Sequence, residues 1–151
     1  MKTILIYTSV HHQNTEKVAA AIAEELNATM IKTEDATPGI LNDYDLIGFG
    51  SGIYFWKHHK ILLSFVKDLP SQQGKRAFLF STSGQGGTAH HAALRDAVLE
   101  RGFTVLDEWA CKGWDTYGLI KLIGGINKGR PNEEDVRQAK EFARHLKEIR
   151  G

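Results

Sequence analysis

The sequence predicts an α/β fold, a three-layer, doubly wound, five-stranded parallel sheet with helices on both faces. Three observations predict it. Short apolar runs alternate with helical stretches as βαβ, a loop, then βαβαβα. The first run, Ile4-Leu-Ile-Tyr7, is apolar at successive positions, as a strand buried on both faces requires. No repeat or linker interrupts the 151 residues, so a single domain spanning 1–151 is expected.

Residues 4–7 make the first strand. From Asn14 or Thr15 a helix runs to about Leu26, with Val18, Ala19, Ile22 and Leu26 on one stripe. Met30–Thr33 is a brief second strand, followed by a loop containing Pro38-Gly39. Tyr44–Phe49 is the third strand, which Gly50-Ser-Gly52 ends. Leu62, Phe65, Val66 and Leu69 mark the next helix by their three-and-four spacing, and Pro70 stops it. Arg76–Phe80 is the fourth strand. The helix after it buries Ala89, Ala93 and Val98 and ends at Arg101-Gly102. Thr104-Val-Leu106 begins a fifth strand that extends toward Cys111. Residues 112–131 form a Gly-rich irregular segment. In the last helix Asn132 is the cap, Glu133-Glu-Asp135 the acidic first turn, and Val136, Ala139, Phe142, Ala143, Leu146 and Ile149 the buried stripe.

Bulk properties narrow the function classes. A 42% apolar and 25% charged composition is that of a folded globular chain, and a net charge of +1 gives no broad pull toward nucleic acid or a membrane. The one cysteine, Cys111, excludes an intrachain disulfide framework. The opening apolar run is too short for a signal-peptide core or a membrane span, so the cytoplasm is the expected compartment. There is no Cys-x-x-Cys, Walker A loop or Gly-x-Ser-x-Gly elbow.

In a parallel sheet of this kind the loops leaving the strands' carboxyl ends open on one edge, where ligands bind. Here those loops are 8–14, 50–58, 81–87 and 111–118. The first offers hydroxyls and an amide at a helix N-terminus, which suits a phosphate. In the second, Tyr54, Phe55 and Trp56 could cover a flat ring, as could Trp114 and Tyr117. The third is Ser81-Thr-Ser-Gly-Gln-Gly-Gly87, whose glycines admit a ligand close to the backbone. Phosphate loop and ring loops together describe a mononucleotide cofactor.

Tyr7-Thr-Ser, Asn14-Thr-Glu-Lys-Val-Ala19, Tyr44-Asp-Leu-Ile-Gly-Phe-Gly-Ser51 and the 81–87 loop, in that order along essentially the whole chain, resemble the flavodoxin family. The resemblance implies strand order 2-1-3-4-5, the order for which flavodoxin is a standard example, and FMN bound without a covalent link. Its phosphate would lie in the first loop, at Ser9, Asn14 and Thr15, with Thr8, His11 and Gln13 beside them. Its ring would lie between the second loop, at Gly52, Tyr54, Phe55 and Trp56, and the third, at Ser81, Thr82, Ser83, Gly84, Gly86 and Gly87, with Trp114 and Tyr117 completing the pocket. The expected role is electron transfer between redox partner proteins. The chain departs from the family pattern in a first loop one residue longer, with His11-His12 in place of small residues. It lacks a glycine directly after the second loop's aromatics, and it is less acidic.

The alternative is an FMN-dependent oxidoreductase on the same fold, quinone-linked or resembling the flavodoxin-like protoporphyrinogen oxidase, with Tyr117–Gly124 as a substrate or membrane-facing lip. A receiver-type signalling domain would need acidic clusters where Thr8-Ser9 and Gly50-Ser51 stand. Gly84-Gln-Gly-Gly-Thr-Ala89, with Asp107 downstream, fits a dinucleotide fingerprint but follows the fourth strand instead of the first.

Six of the seven histidines are paired, at 11–12, 58–59 and 90–91. No carboxylate or cysteine near them completes a metal set, so no metal is assigned. His11 or His12 is read as a charge beside the phosphate, and the other pairs as solvated loop residues. Lys57, His58, His59 and Lys60 then place positive or potentially positive charge beside the ring loop.

Overall fold

The structure, a computed structural model, describes residues 2–10, 13–114 and 125–149. In chain order its elements are β1 (Thr3–Thr8), α1 (Asn14–Leu26), β2 (Thr29–Lys32), β3 (Leu46–Tyr54), β4 (Lys57–His58), α2 (Lys60–Lys67), β5 (Arg76–Ser83), α3 (Ala92–Glu100), β6 (Thr104–Lys112) and α4 (Glu133–Ile149). The sheet runs β2-β1-β3-β5-β6, every pair parallel, and β4 adds to β3 antiparallel. With the two-residue β4 set aside, this is the order 2-1-3-4-5 expected from the sequence.

Alternation along the strands sends side chains to two cores. Leu5, Tyr7, Phe78, Phe80 and Cys111 pack beneath α1 and α4, against Val18, Ala19, Ile22, Ala139, Phe142 and Leu146. Ile4, Ile6, Ile47, Phe49 and Leu79 pack on the opposite side beneath α2 and α3, against Leu62, Val66, Leu94 and Val98. Each large side chain so buried contributes about 1.5–3 kcal/mol. Gly48 and Gly50 in β3 let this packing close. A Cβ at Gly48 would stand 2.3 Å from the Phe78 ring, and one at Gly50 would stand 2.2 Å from the Phe80 ring.

α4 begins at a reciprocal cap. Asn132 Oδ1 accepts from the Asp135 N–H at 3.0 Å, while Asp135 Oδ2 accepts from the Asn132 N–H at 2.8 Å. Arg130 holds the same carboxylate through two N–H donors at 2.6 and 2.7 Å.

Three expectations are corrected. The third strand does not end at Gly50-Ser-Gly52 but runs to Tyr54 and folds back as β4, pairing Tyr54 with Lys57. The helix after the fourth strand does not bury Ala89, which is exposed; α3 starts at Ala92, where His91 turns inward. Ile149, assigned to the buried stripe of α4, is 41% exposed on its last turn.

Candidate functional site

The carboxyl ends of β1, β3, β5 and β6 open on one edge and enclose a cleft in two parts. A cavity of about 140 Å³ is lined by Ser9, Val10, Asn14, Thr15, Gly52, Ile53, Tyr54, Phe55, Thr82, Ser83, Gly84, Gly113 and Trp114. A second, of about 350 Å³, is lined by Ile53, Phe55, Trp56, Ser83, Gly84, Gln85, His90 and Ile126. Ile53, Phe55, Ser83 and Gly84 belong to both, so the cleft is continuous.

The first part gathers hydroxyls at a helix start. No side chain caps α1 at Gln13, which takes the left-handed conformation at φ 55°. Ser9 Oγ accepts from the Glu16 N–H at 3.2 Å, so the loop curls over the first turn of the helix. Thr15 and Thr82 share a buried hydroxyl–hydroxyl hydrogen bond of 2.9 Å. Asn14 Nδ2 donates to the Trp114 carbonyl at 2.9 Å, bracing the first loop against the end of β6. Gly113 permits that approach, because a Cβ there would stand 2.6 Å from the Asn14 amide nitrogen.

The second part is walled by an unusual hairpin. Phe55 and Trp56 are its two loop residues, at φ 50° and 68°. Two-residue hairpin loops with both positions left-handed favour Asn-Gly, because bulky residues there cost on the order of 1–3 kcal/mol each. Here the aromatic rings are 79% and 71% exposed. The rest of the hairpin offsets this strain. Ser51 Oγ accepts from the His59 N–H at 2.9 Å, and His58 Nε2 donates to the Phe80 carbonyl at 3.0 Å. Tyr54 lies over Gly52, whose missing Cβ would come within 2.9 Å of its hydroxyl. Trp56 crosses toward the third loop, its ring centroid 5.2 Å from that of His90.

Beneath the third loop lies a polar chain that runs from buried Ser81 and His91 out to half-buried Glu108 and Arg95. Ser81 Oγ and His91 Nε2 are 2.7 Å apart, and His91 Nδ1 and Glu108 Oε1 are 2.8 Å apart. Arg95 completes it with two donors to Glu108, at 2.6 and 2.8 Å. A carboxylate can only accept, so neutral His91 carries its proton on Nδ1 and Ser81 donates to Nε2. His58 packs against His91 with ring centroids 4.7 Å apart. Burial, reinforced by the neighbouring His91, lowers the His58 pKa to about 3. Burial also lowers that of His91, against the pull of Glu108. Burial acts to raise the Glu108 carboxyl, but Arg95 and His91 hold it below its usual range. The reading of 58–59 and 90–91 as solvated pairs is therefore corrected. His58 and His91 are 1% and 0% exposed, and His58 is neutral in the folded protein near pH 7. The His59 pKa is lowered too, by burial, so positive charge on the second loop rests with Lys57 and Lys60.

Of the residues assigned from the sequence, Ser9, Asn14, Thr15, Gly52, Tyr54, Phe55, Trp56, Thr82, Ser83, Gly84 and Trp114 line the cleft. Thr8, Gln13, Ser81, Gly86 and Gly87 do not line either cavity. Thr8 donates to the Thr33 hydroxyl at 2.8 Å, Ser81 is committed to His91, and Gly86 sits against Lys112. His11 and Tyr117, like His12 and the Tyr117–Gly124 lip, lie outside the described residues. Val10, Ile53, Gly113 and Ile126 line the cleft without having been singled out, because apolar positions and backbone glycines in loops carry no chemical signature, and Gln85 of the third loop and His90, read as solvated, line it as well. The dinucleotide fingerprint loses its structural context, since no helix starts at its glycines and α3 waits until Ala92.

Comparison with known proteins agrees with this architecture. The family model described as Flavodoxin domain matches residues 4–111. A Methanocaldococcus jannaschii protein, named as uncharacterized, is 50% identical over 148 residues, covering 97% of this chain and 98% of its own length. Among solved structures, a flavodoxin from the domain Archaea superposes with a TM-score of 0.69 at 19% identity over 100% of both chains. A short-chain flavodoxin associated with a non-canonical PDU bacterial microcompartment gives 0.74 at 18% identity over 98% of both. The Fusobacterium nucleatum flavodoxin bound to flavin mononucleotide gives 0.69 at 14% identity, again over 98% of both. At these identities the superpositions speak for the fold.

Proposed function

This chain belongs to the flavodoxin family, and on that premise we propose that it is an electron-transfer protein that carries FMN in the cleft and exchanges electrons with partner proteins. The observation that carries the reading is the division of one continuous cleft, with hydroxyls at a helix N-terminus at one end and aromatic side chains at the other. A nucleotide with a dianionic phosphate and a flat heterocycle matches that division.

The residues fit the cofactor. Ser9, Asn14, Thr15 and the first-turn amides of α1 would take the phosphate, favoured by the positive end of the helix dipole. Thr82 holds Thr15 in place from below. Tyr54, Phe55, Trp56 and Trp114 would flank the ring and shield it from water. FMN supplies the one- and two-electron chemistry when bound, while the protein sets its orientation and surroundings. His58 and His91 fix the ring loops from beneath as neutral groups, so no buried cation from this pair stands under the cleft at pH 7.

The visible spectrum of the protein mixed with FMN and then freed of excess tests this reading. One retained FMN per chain, with oxidised-flavin bands at roughly 370 and 450 nm set by the cofactor, is the expected result. Once reduced, the retained flavin should pass its electrons to a second redox protein. A colourless protein contradicts it, and steady turnover of a quinone or porphyrinogen without a partner protein would transfer the assignment to the enzyme alternative.

A further inference from the structure

The described residues of the loops lining the cleft, 8–10, 13–15, 50–60, 81–91, 111–114 and 125–130, contain no carboxylate, and the acidic residues that follow β2 on the same sheet edge are Glu34 and Asp35, with Glu34 acting on His59. The lining loops carry four exposed lysines, placed on separate sides of the opening. Lys57 pairs with Tyr54 in the hairpin and Lys60 opens α2 behind it. Lys112 flanks the third loop, its Cγ 2.6 Å from where a Cβ on Gly86 would be. Lys128 lies over the Trp114 ring, 5.6 Å from its centroid. Arg130, the remaining cation, is neutralised by Asp135. The whole chain has a net charge of +1, so the molecule away from this edge is net acidic. Lysines therefore predominate around the cleft mouth, with Glu34 and Asp35 confined to its β2 side.

Inside this ring of lysines stands a set of exposed apolar side chains. Phe55 and Trp56 are 79% and 71% exposed, Val10 is 50% and Ile126 37%. Large aromatics surrounded by a charged, solvated rim have the anatomy of an interface centre. Phe55 and Trp56 stand out on a hairpin turn at left-handed φ, a costly conformation for bulky residues of the kind that clusters at functional sites.

We propose that this edge is the docking face for an acidic electron-carrier protein, one whose carboxylates ring its own redox centre and meet Lys57, Lys60, Lys112 and Lys128 while Trp56 and Phe55 pack at the middle. The proposal deepens the electron-transfer reading and rests on it. Opposite charges around a dry aromatic centre speed and orient the encounter, and they repel carriers with basic surfaces. Docking at the cleft mouth also sets the partner's centre beside the cofactor pocket, with no further route through the protein.

The test is stopped-flow reduction of the FMN-loaded protein by a reduced two-iron ferredoxin of acidic surface, over a series of salt concentrations. The second-order rate constant is expected to fall about tenfold between ~20 mM and ~500 mM salt as the charges are screened. The variant Lys57→Glu/Lys112→Glu should lose at least ~3-fold of that salt dependence, read as a slope so that any change in potential drops out. Electron delivery from the reduced protein to a basic c-type cytochrome should show the opposite slope. A rate that is flat or rises with salt for the ferredoxin overturns the proposal, as does a slope unchanged in the variant. Salt-sensitive co-sedimentation with phosphatidylserine vesicles, lost in the same variant while the ferredoxin slope is flat, assigns the face to a membrane surface and overturns it too. Absence of the flavin band before mixing overturns the electron-transfer reading itself, and is seen separately from the kinetics.

Discussion

Ser81 and Thr82 are neighbours on β5, yet the ground they stand on differs completely. Thr82 faces the α1–α4 layer and meets Thr15 in a neutral hydroxyl pair. Ser81 faces the α2–α3 layer and begins the chain Ser81–His91–Glu108–Arg95, with the His58 ring packed against His91 at a tilt. Both arrangements brace a loop of the cleft, the first loop through Thr15 and the second and third through His58 and His91. A neutral brace works at any pH and fails gently. An ionisable brace is stronger, but it depends on keeping protons away from buried imidazoles.

The largest expected effect is on the ionisable side. His58 titrates at about 3 in the folded protein against a usual value of 6.5. Below pH 6.5 the unfolded chain therefore takes up a proton that the folded one does not. Stability is lost as pH falls from 6.5 toward 3, with a contribution from this group approaching about 1.4 kcal/mol per pH unit. In His58→Gln, whose amide can still donate to the Phe80 carbonyl, that part of the slope should vanish. Urea unfolding of both proteins at several pH values measures the difference, and parallel curves would refute it.

A smaller loss is expected from Glu108→Ala. It leaves the His91 Nδ1–H and Arg95 without their acceptor and should cost about 2–3 kcal/mol, or roughly 5–10 °C in Tm. Thermal unfolding at pH 7 reads it. A shift below about 2 °C would mean that the chain is held by packing alone.

The neutral side should give the smallest effects and a different pattern. Thr15→Val is expected to cost about 1 kcal/mol because it strands the Thr82 hydroxyl, whereas Thr15→Val/Thr82→Val should sit close to wild type. Guanidinium unfolding of the three proteins without cofactor would settle it. A double variant worse than the sum of the singles would show that the hydroxyls serve more than each other.

The same comparison shows how much the sequence revealed. Strand and helix periodicity was enough for the doubly wound parallel sheet, because buried parallel strands and one-sided helices leave unmistakable patterns in Ile4–Tyr7 or Ala139–Leu146, while the strand order came from the family resemblance. The hydroxyls of the first loop were legible too, since Ser9, Asn14 and Thr15 sit just before a helix. The hairpin was not. Phe55-Trp56 carries none of the Asn or Gly that marks a left-handed turn, and Gly50 and Gly52 looked like a strand's end when they make room for Phe80 and Tyr54. The histidine pairs hid a geometric fact. Adjacent residues near a strand point opposite ways, so His58 is buried while His59 reaches the surface to accept from the Ile61 N–H. Whether such a group is solvated or locked depends on Glu108 and Phe80, which are distant in sequence.

Competitive binding of FMN and riboflavin to the cofactor-free protein, followed by flavin fluorescence, tests most directly whether the first loop holds a phosphate. The wild-type protein should favour FMN by at least ~100-fold, and Thr15→Val should shrink the preference about tenfold or more by weakening FMN alone. Equal affinity for the two flavins, or equal losses for both in the variant, would contradict it.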